Sequence, residues 1–269
     1  MRDVGRPLPF APAARAVFDL SVDGMIWSRR SLLMALLVGL PAVLAIVYRA
    51  LLAADVPIRG LPPYDLYALV MAMFWIRNVL PLVALFHATS LVADEVEGRT
   101  LTYLLTRPIT RPAVFAGKFA AYLATSTAVA LPSAVLAFFL FATAEGAPGV
   151  GAAVPDLFRD LGVMTLALAV YGALFALLGV LLRRPVIPGL LFLFGWELLA
   201  NLPGYLPRLT LTTWLRSLIR HRPAEEGLAQ LFAQVQPTGL SLAVLLAATA
   251  VFLAAATWVF SQREYVLEQ

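Results

Sequence analysis

The chain of 269 residues contains no cysteine, so disulfides and thiolate metal sites are excluded. It also carries little charge, because Asp, Glu, Lys and Arg make up 13% of the residues, about half the share in an ordinary soluble domain. Histidine occurs twice, at His87 and His221, and their wide separation favours structural roles over a shared ligand site. Lysine occurs once, at Lys118, beside nineteen arginines, a ratio that we attribute to genome composition.

Several catalytic motifs are missing as well. The dipeptide Gly117-Lys118 is followed by Phe119, and Pro112 stands where a phosphate-binding loop would have its first glycine. The chain also lacks a His-Glu-x-x-His helix and a Gly-x-Ser-x-Gly elbow. These absences predict that the chain is not an enzyme, that it binds no nucleotide in that way, and that it holds no catalytic metal.

What the sequence has in abundance is long apolar runs. Hydrophobic residues make up 61% of the chain and the mean hydropathy is +0.85, which predicts an all-α polytopic membrane protein forming a single domain over residues 1–269. Each predicted span is long enough to cross a hydrocarbon core about 30 Å thick. The six predicted spans are 31–54, 66–92, 117–143, 160–182, 186–202 and 240–261.

The arginines indicate the orientation. Arg29 and Arg30 precede the first span, and Arg183 and Arg184 fill the turn after the fourth, so both pairs are typical of cytoplasmic segments. Both termini and the 93–116 loop are then cytoplasmic, in a multi-pass plasma-membrane protein, with a bacterial inner membrane favoured. The arginines between the fifth and sixth spans go against this bias and weaken it. The pI of about 9.7 does not indicate nucleic-acid binding, because the arginines flank spans instead of forming one stripe.

Two segments outside the spans are predicted to be helical. In residues 15–30, Phe18, Val22 and Met25 form an apolar face opposite charged residues, which predicts an amphipathic helix in the inner membrane interface. The outer segment 203–239 has an apolar helical face that includes Leu211 and Leu215. We therefore expect short interfacial or re-entrant helices before the last span.

Charged side chains within the predicted spans are few. Arg77 and Glu197 fall at depths about one helical turn apart, so the sequence predicts an ion pair between them, with Asn78 hydrogen-bonding nearby. Such a pair would serve either packing or a polar contact beside a transport path. The general shortage of acids within spans disfavours a secondary transporter.

Residues 91–118 form a dense polar segment between two apolar runs, and such a segment cannot lie in hydrocarbon. Leu101, Leu104 and Leu105 fall at i, i+3 and i+4, which predicts a short helix with one apolar stripe. Pro108 ends that helix. Thr110 is expected to cap the next helix, in which Pro112 is tolerated within the first turn.

This segment resembles the first cytoplasmic loop of ABC-2 type permeases, the membrane subunits of one class of ABC exporter. Where the commoner family order puts glycine directly before threonine, Arg99 intervenes here. The matching residues are Glu95, Glu97, Gly98, Thr100, Leu101, Leu104, Leu105, Arg107, Pro108, Thr110, Arg111, Gly117 and Lys118.

The resemblance implies a permease that forms a homo- or heterodimer, contacts membrane lipid and recruits cytoplasmic ABC ATPase subunits. The loop would be the coupling element, the 15–30 helix an elbow helix, and ATP and Mg²⁺ would bind the partner ATPase, leaving no cofactor in this chain. A membrane scaffold or assembly factor that associates with an ATPase but does not transport is the alternative. No residue selects among the drug, lipid, polysaccharide or metallocentre substrates of related permeases.

Overall fold

The computed structural model describes residues 9–26, 29–54, 62–97, 110–147, 149–202, 204–220 and 236–262. Helix accounts for 89% of these residues and no strand occurs among them, which confirms the all-α prediction. The helices, in chain order, are α1 (Phe10–Ile26), α2 (Arg29–Ala53), α3 (Pro63–Leu69), a π-helix (Val70–Val79), α4 (Leu80–Glu97), α5 (Arg111–Ala142), α6 (Val150–Leu181), α7 (Val186–Phe194), two 3-10 helices (Trp196–Asn201 and Leu206–Leu209), α8 (Leu211–Leu218) and α9 (Thr238–Gln262).

Five helical segments among the described residues are long and apolar enough to cross a membrane. They match the predicted first, second, third, fourth and sixth spans with shifted bounds. The second span continues without a break through α3, the π-helix and α4. The five segments are Ser31–Ala53, Pro63–Thr89, Arg111–Ala142, Val150–Leu181 and Thr238–Gln262.

The predicted fifth span, 186–202, is not a continuous helix, so the prediction of six spanning helices is not confirmed. Helix α7 has 9 residues, a length of about 14 Å, which is less than half the thickness of a bilayer core. It ends at Gly195, where a Cβ atom would lie 2.5 Å from the carbonyl oxygen of Leu191. The chain continues as the 3-10 helix Trp196–Asn201, whose Glu197 contacts α8 as described below.

The helix ends define two ends of the bundle. We call the end that carries Glu97, Arg111 and Gln262 the loop end, because Arg111 Nη1 donates to the carbonyl of Ser261 over 3.0 Å. At the opposite end, Arg159 Nε donates to the carbonyl of Leu218 over 2.6 Å. Helix α6 runs from the opposite end to the loop end. Between Leu181 and Leu218 the chain therefore returns through the bundle as short helices.

Helices α1 and α2 run alongside α5 in the same direction. Ala14 of α1 lies against Gly117, and Ser133 Oγ of α5 donates to the carbonyl of Val38 over 2.7 Å. The segment predicted as an amphipathic helix at 15–30 is helical over Phe10–Ile26, so it begins five residues earlier and ends four residues earlier than predicted. Its most buried side chains, Ala13 and Val17, face α5, so this face is covered by protein.

The core forms where α4, α5 and α6 meet. Gly179 of α6 allows the backbone of α4 to approach, because a Cβ atom there would lie only 2.8 Å from the carbonyl oxygen of Thr89. Tyr122 of α5 lies over Gly172 and donates through its hydroxyl to the carbonyl of Leu168 over 2.8 Å. Close backbone contact through small residues is a common way to join helices in membranes, where apolar burial alone drives little association.

The outer faces of α2 and α9 remain apolar and exposed. Leu32, Leu33 and Leu36 of α2 are each more than 60% exposed, and so is Trp258 of α9. Such faces are expected on spanning helices, because lipid replaces protein as their neighbour.

A pair of glycines on α6 tests this packing. We expect Gly179→Ala to lower the free energy of unfolding by about 1–3 kcal/mol, because the new methyl group collides with the α4 backbone. Gly162→Ala is the matched control on the same helix. A Cβ atom there meets nothing within 4 Å, so that variant should be neutral or stabilising by about 0.4–1 kcal/mol. Thermal unfolding of the purified protein in detergent measures both, and equal stabilities would contradict the packing.

Candidate functional site

The structure describes the two helix ends that hold the predicted coupling loop. Glu95 and Glu97 lie on the last two turns of α4, although their side chains are outside the described part. Arg111 opens α5, with Thr110 at the N-cap position and Pro112 in the first turn, as predicted. The side chain of Thr110 makes no capping hydrogen bond. The remaining predicted loop residues, Gly98, Thr100, Leu101, Leu104, Leu105, Arg107 and Pro108, lie outside the described residues.

The first turn of α5 is attached to the end of α9. The Arg111 guanidinium donates to the carbonyl of Ser261 in the last turn of α9. Carbonyls of a last turn lack an intrahelical partner, and a cation there also interacts favourably with the helix dipole. One turn further, the rings of Phe115 and Phe260 lie 5.9 Å apart. A displacement of the loop at Arg111 would therefore act on α9 as well.

The second turn of α5 is attached to α1 and α4. At Gly117 a Cβ atom would lie 2.4 Å from the carbonyl oxygen of Ala14, so only glycine allows α1 to lie this close. The next residue, Lys118, is 5% exposed, and its Nζ donates to the carbonyl of Leu91 on α4 over 2.8 Å. The sequence pattern included Lys118 in the family motif but did not single it out as a site residue. Its status as the chain's one lysine was the available signal.

Further along, a polar group joins α2, α4 and α5. His87 of α4 lies between two hydroxyls, with Ser31 Oγ 3.3 Å from Nε2 and Ser126 Oγ 3.5 Å from Nδ1. Ser31 Oγ also donates to the carbonyl of Met25 at the end of α1. His87 is thus a hydrogen-bonded structural residue, in agreement with the sequence prediction. His221 lies outside the described residues.

Glu197 binds the start of α8 instead of Arg77. Its carboxylate oxygens accept from the backbone N–H groups of Leu211 and Thr212 over 3.1 and 3.2 Å. These donors belong to the first turn of α8, where N–H groups have no intrahelical acceptor. The predicted Arg77–Glu197 ion pair is therefore replaced by a helix cap. Sequence separation hid this contact, because the carboxylate and the helix start are fourteen residues apart.

The side chain of Glu197 is 6% exposed, so its carboxylate depends on these protein donors for its hydrogen bonds. Arg77 and Asn78 lie on the π-helix. The Asn78 side chain hydrogen-bonds within its own helix, where its Nδ2 donates to the carbonyl of Met73 over 2.6 Å.

A polar cluster at the opposite end was not foreseen. Because α6 begins at Val150 instead of residue 160, Asp156 lies within a spanning helix together with Asp160, the first residue of the predicted span. Each accepts from a tyrosine hydroxyl, Asp156 from Tyr64 over 2.9 Å and Asp160 from Tyr67 over 2.8 Å. Arg220 approaches Asp156 to 3.6 Å. The scarcity of acids within the spans was the reason for disfavouring a secondary transporter, and these two aspartates weaken that reason.

In the described part of the chain, no group of three or more His, Asp or Glu residues is placed to hold a metal ion. What the geometry provides is mechanical: a loop whose two flanking helices are attached at its base to each other and to α1 and α9.

Residues 31–265 match the family described as ABC-2 family transporter protein, so the chain belongs to that family. Members are transport permeases, not enzymes, and the family implies partnership with an ABC ATPase subunit. The chain is accordingly a multi-pass membrane protein. No curated protein matches its sequence significantly.

The cap at Glu197 generates a prediction. Glu197→Gln should lower the free energy of unfolding by about 1–3 kcal/mol, because an amide cannot accept from both backbone N–H groups as a carboxylate does. The exposed Glu145 provides the matched control, and Glu145→Gln should have little effect. Because Glu197 does not bind Arg77, the losses of Arg77→Gln and Glu197→Gln should add within about 0.5 kcal/mol in the double variant. If thermal unfolding instead shows strong coupling between the two substitutions, Arg77 and Glu197 do form an ion pair.

Proposed function

We propose that this chain is the permease of an ATP-driven ABC-2 type exporter, acting as a dimer that recruits two cytoplasmic ATPase subunits. Family membership supports the transport role. The observation that carries the proposal is the base of the 97–110 loop, where α4 and α5 are attached to each other and to two further helices. ATP and Mg²⁺ would bind the partner subunits, and this chain would supply the path and the mechanical link.

The proposed mechanism follows from these contacts. Closure of the ATPase dimer on ATP displaces the loop, and the displacement enters the membrane through α4 and α5. Arg111 carries it to α9 through Ser261, and Gly117 carries it to α1 through Ala14. A coordinated tilt of these helices then opens the path between two permease copies. Each step is a rigid-body movement of packed helices, a common form of conformational change.

The proposed orientation puts the loop end and both termini in the cytoplasm. Arg183 and Arg184 support it, because both are exposed and follow directly on the end of α6 at the loop end. Basic residues beside spans are enriched on the cytoplasmic side. We propose the plasma membrane as the location and a bacterial inner membrane as its type.

A membrane scaffold or assembly factor is the second candidate. The same loop and the same attachments would then anchor an ATPase without moving a substrate. Transport and anchoring differ in one property: only a transporter changes its helix arrangement with each cycle of hydrolysis. Nucleotide-dependent movement within the permease therefore favours the exporter over the scaffold.

The docking role of the loop is tested by substitution. Leu104→Asp should abolish co-purification of the ATPase while the permease remains in the membrane, because a carboxylate cannot enter the apolar groove expected for Leu101, Leu104 and Leu105. Leu209→Asp is the matched control, since it replaces another leucine, which is 58% exposed and lies in the second 3-10 helix, Leu206–Leu209. That variant should keep the ATPase.

Glu97→Arg adds a second comparison for the same surface. It should weaken association at low salt, and its difference from the unaltered protein should shrink as salt rises, because exposed charges are screened. If Leu104→Asp and Glu97→Arg both retain the ATPase and its full hydrolysis, the loop is not the docking element.

A further inference from the structure

The one lysine of the chain lies in the interior of the bundle. Lys118 is 5% exposed, and its ammonium donates to the carbonyl of Leu91 over 2.8 Å. A buried ammonium is costly unless its donors are satisfied, so a side chain in this position is held strongly to its acceptor. All other basic positions of this chain use arginine, which carries a broader and planar head group.

The acceptor suits a cation for a second reason. Leu91 lies in the later half of α4, which ends at Glu97. The negative end of the helix dipole is therefore close to the ammonium, and charge-assisted hydrogen bonds to carbonyls are stronger than neutral ones. Lys118 thus forms a strong, short connection between two helices that run in opposite directions.

The position of this connection relative to the loop gives it a mechanical consequence. Leu91 lies six residues before the end of α4, and Lys118 lies seven residues after the start of α5. At about 1.5 Å per residue, each partner is about 9–11 Å from the loop. The hydrogen bond between Ser126 of α5 and His87 of α4 lies two turns further along α5. Lys118 therefore closes the base of the loop.

Without this connection, a force on the loop would separate α4 from α5, because two adjacent helices joined by a loop can splay at its base. With the connection in place, the two helices share the displacement. Arg111 and Gly117 add contacts from α5 to α9 and α1, through Ser261 and Ala14.

We propose that Lys118 is a positioning residue for energy coupling, which makes α4 and α5 move as one unit when the ATPase displaces the loop. The inference rests on the proposed function, because it assigns the transmission step behind the docking surface. Docking and transmission are then separate properties of the chain: Leu104 serves the first and Lys118 the second.

The experiment measures movement and docking in the same sample. Because the chain has no cysteine, spin labels can be placed on two introduced cysteines, at the exposed positions Asn78 and Val251. These positions report the distance between the second span and α9. The labelled permease with its ATPase is reconstituted in liposomes, and the label distance is compared without nucleotide and with ATP–Mg²⁺ and vanadate.

The doubly labelled protein should show a shift of the distance with nucleotide. Lys118→Met should lose this shift while still co-purifying the ATPase, because the docking residues are unchanged. Ser133→Ala is the matched control. It removes another hydrogen bond from an α5 side chain to the backbone of a neighbouring helix, that of Val38, away from the loop, and it should keep the shift.

The possible outcomes distinguish the role of Lys118 from the proposed function. If Lys118→Met shifts as the doubly labelled protein does, or if Ser133→Ala loses the shift equally, the assignment of Lys118 is wrong. If Lys118→Met does not reach the membrane, Lys118→Gln is compared in the same way, and failure of both to fold would assign Lys118 to folding alone and overturn the inference. Absence of any shift in the labelled protein with Lys118 intact contradicts the proposed function itself.

Discussion

The arrangement of the loop end depends on one helix, α5, whose first turns contact three neighbours at once. Within eight residues it donates to the end of α9 through Arg111, receives α1 against Gly117 and donates to α4 through Lys118. Each contact reaches a backbone carbonyl, so each depends on helix position instead of a matching side chain. Carbonyls in an apolar bundle retain little access to water, which makes such contacts costly to break.

The broken fifth segment follows a different rule. A helix that ends within an apolar bundle leaves carbonyls or N–H groups without partners, and these must be satisfied locally. Glu197 satisfies two of them at the start of α8, and the Thr210 side chain accepts from the N–H of Thr213 in the same turn. The carboxylate that was predicted to form an ion pair thus satisfies two N–H groups at the start of α8.

Sequence periodicity and hydropathy predicted the features that depend on local composition. They gave the helical class, five of the six proposed spans and the helix start at Thr110 and Pro112, because spans and proline positions are determined within one or two turns. Periodicity and hydropathy did not predict the features that depend on contacts between residues distant in the sequence. The partner of Glu197 is fourteen residues away and the acceptor of Lys118 is twenty-seven residues away. The charge of Asp156 concealed the early start of α6. Tyrosine hydroxyls from another helix make Asp156 and Asp160 compatible with burial.

The account's central claim is that the loop between α4 and α5 is the surface that meets an ATPase. The most direct measurement places a photo-reactive amino acid at Leu104 in one protein and at the exposed Leu209 in another. Both proteins are irradiated in membranes that contain the ATPase. The account predicts a covalent adduct with the ATPase from position 104 and none from position 209. An adduct from position 209, or none from position 104 while the ATPase is bound, would contradict it.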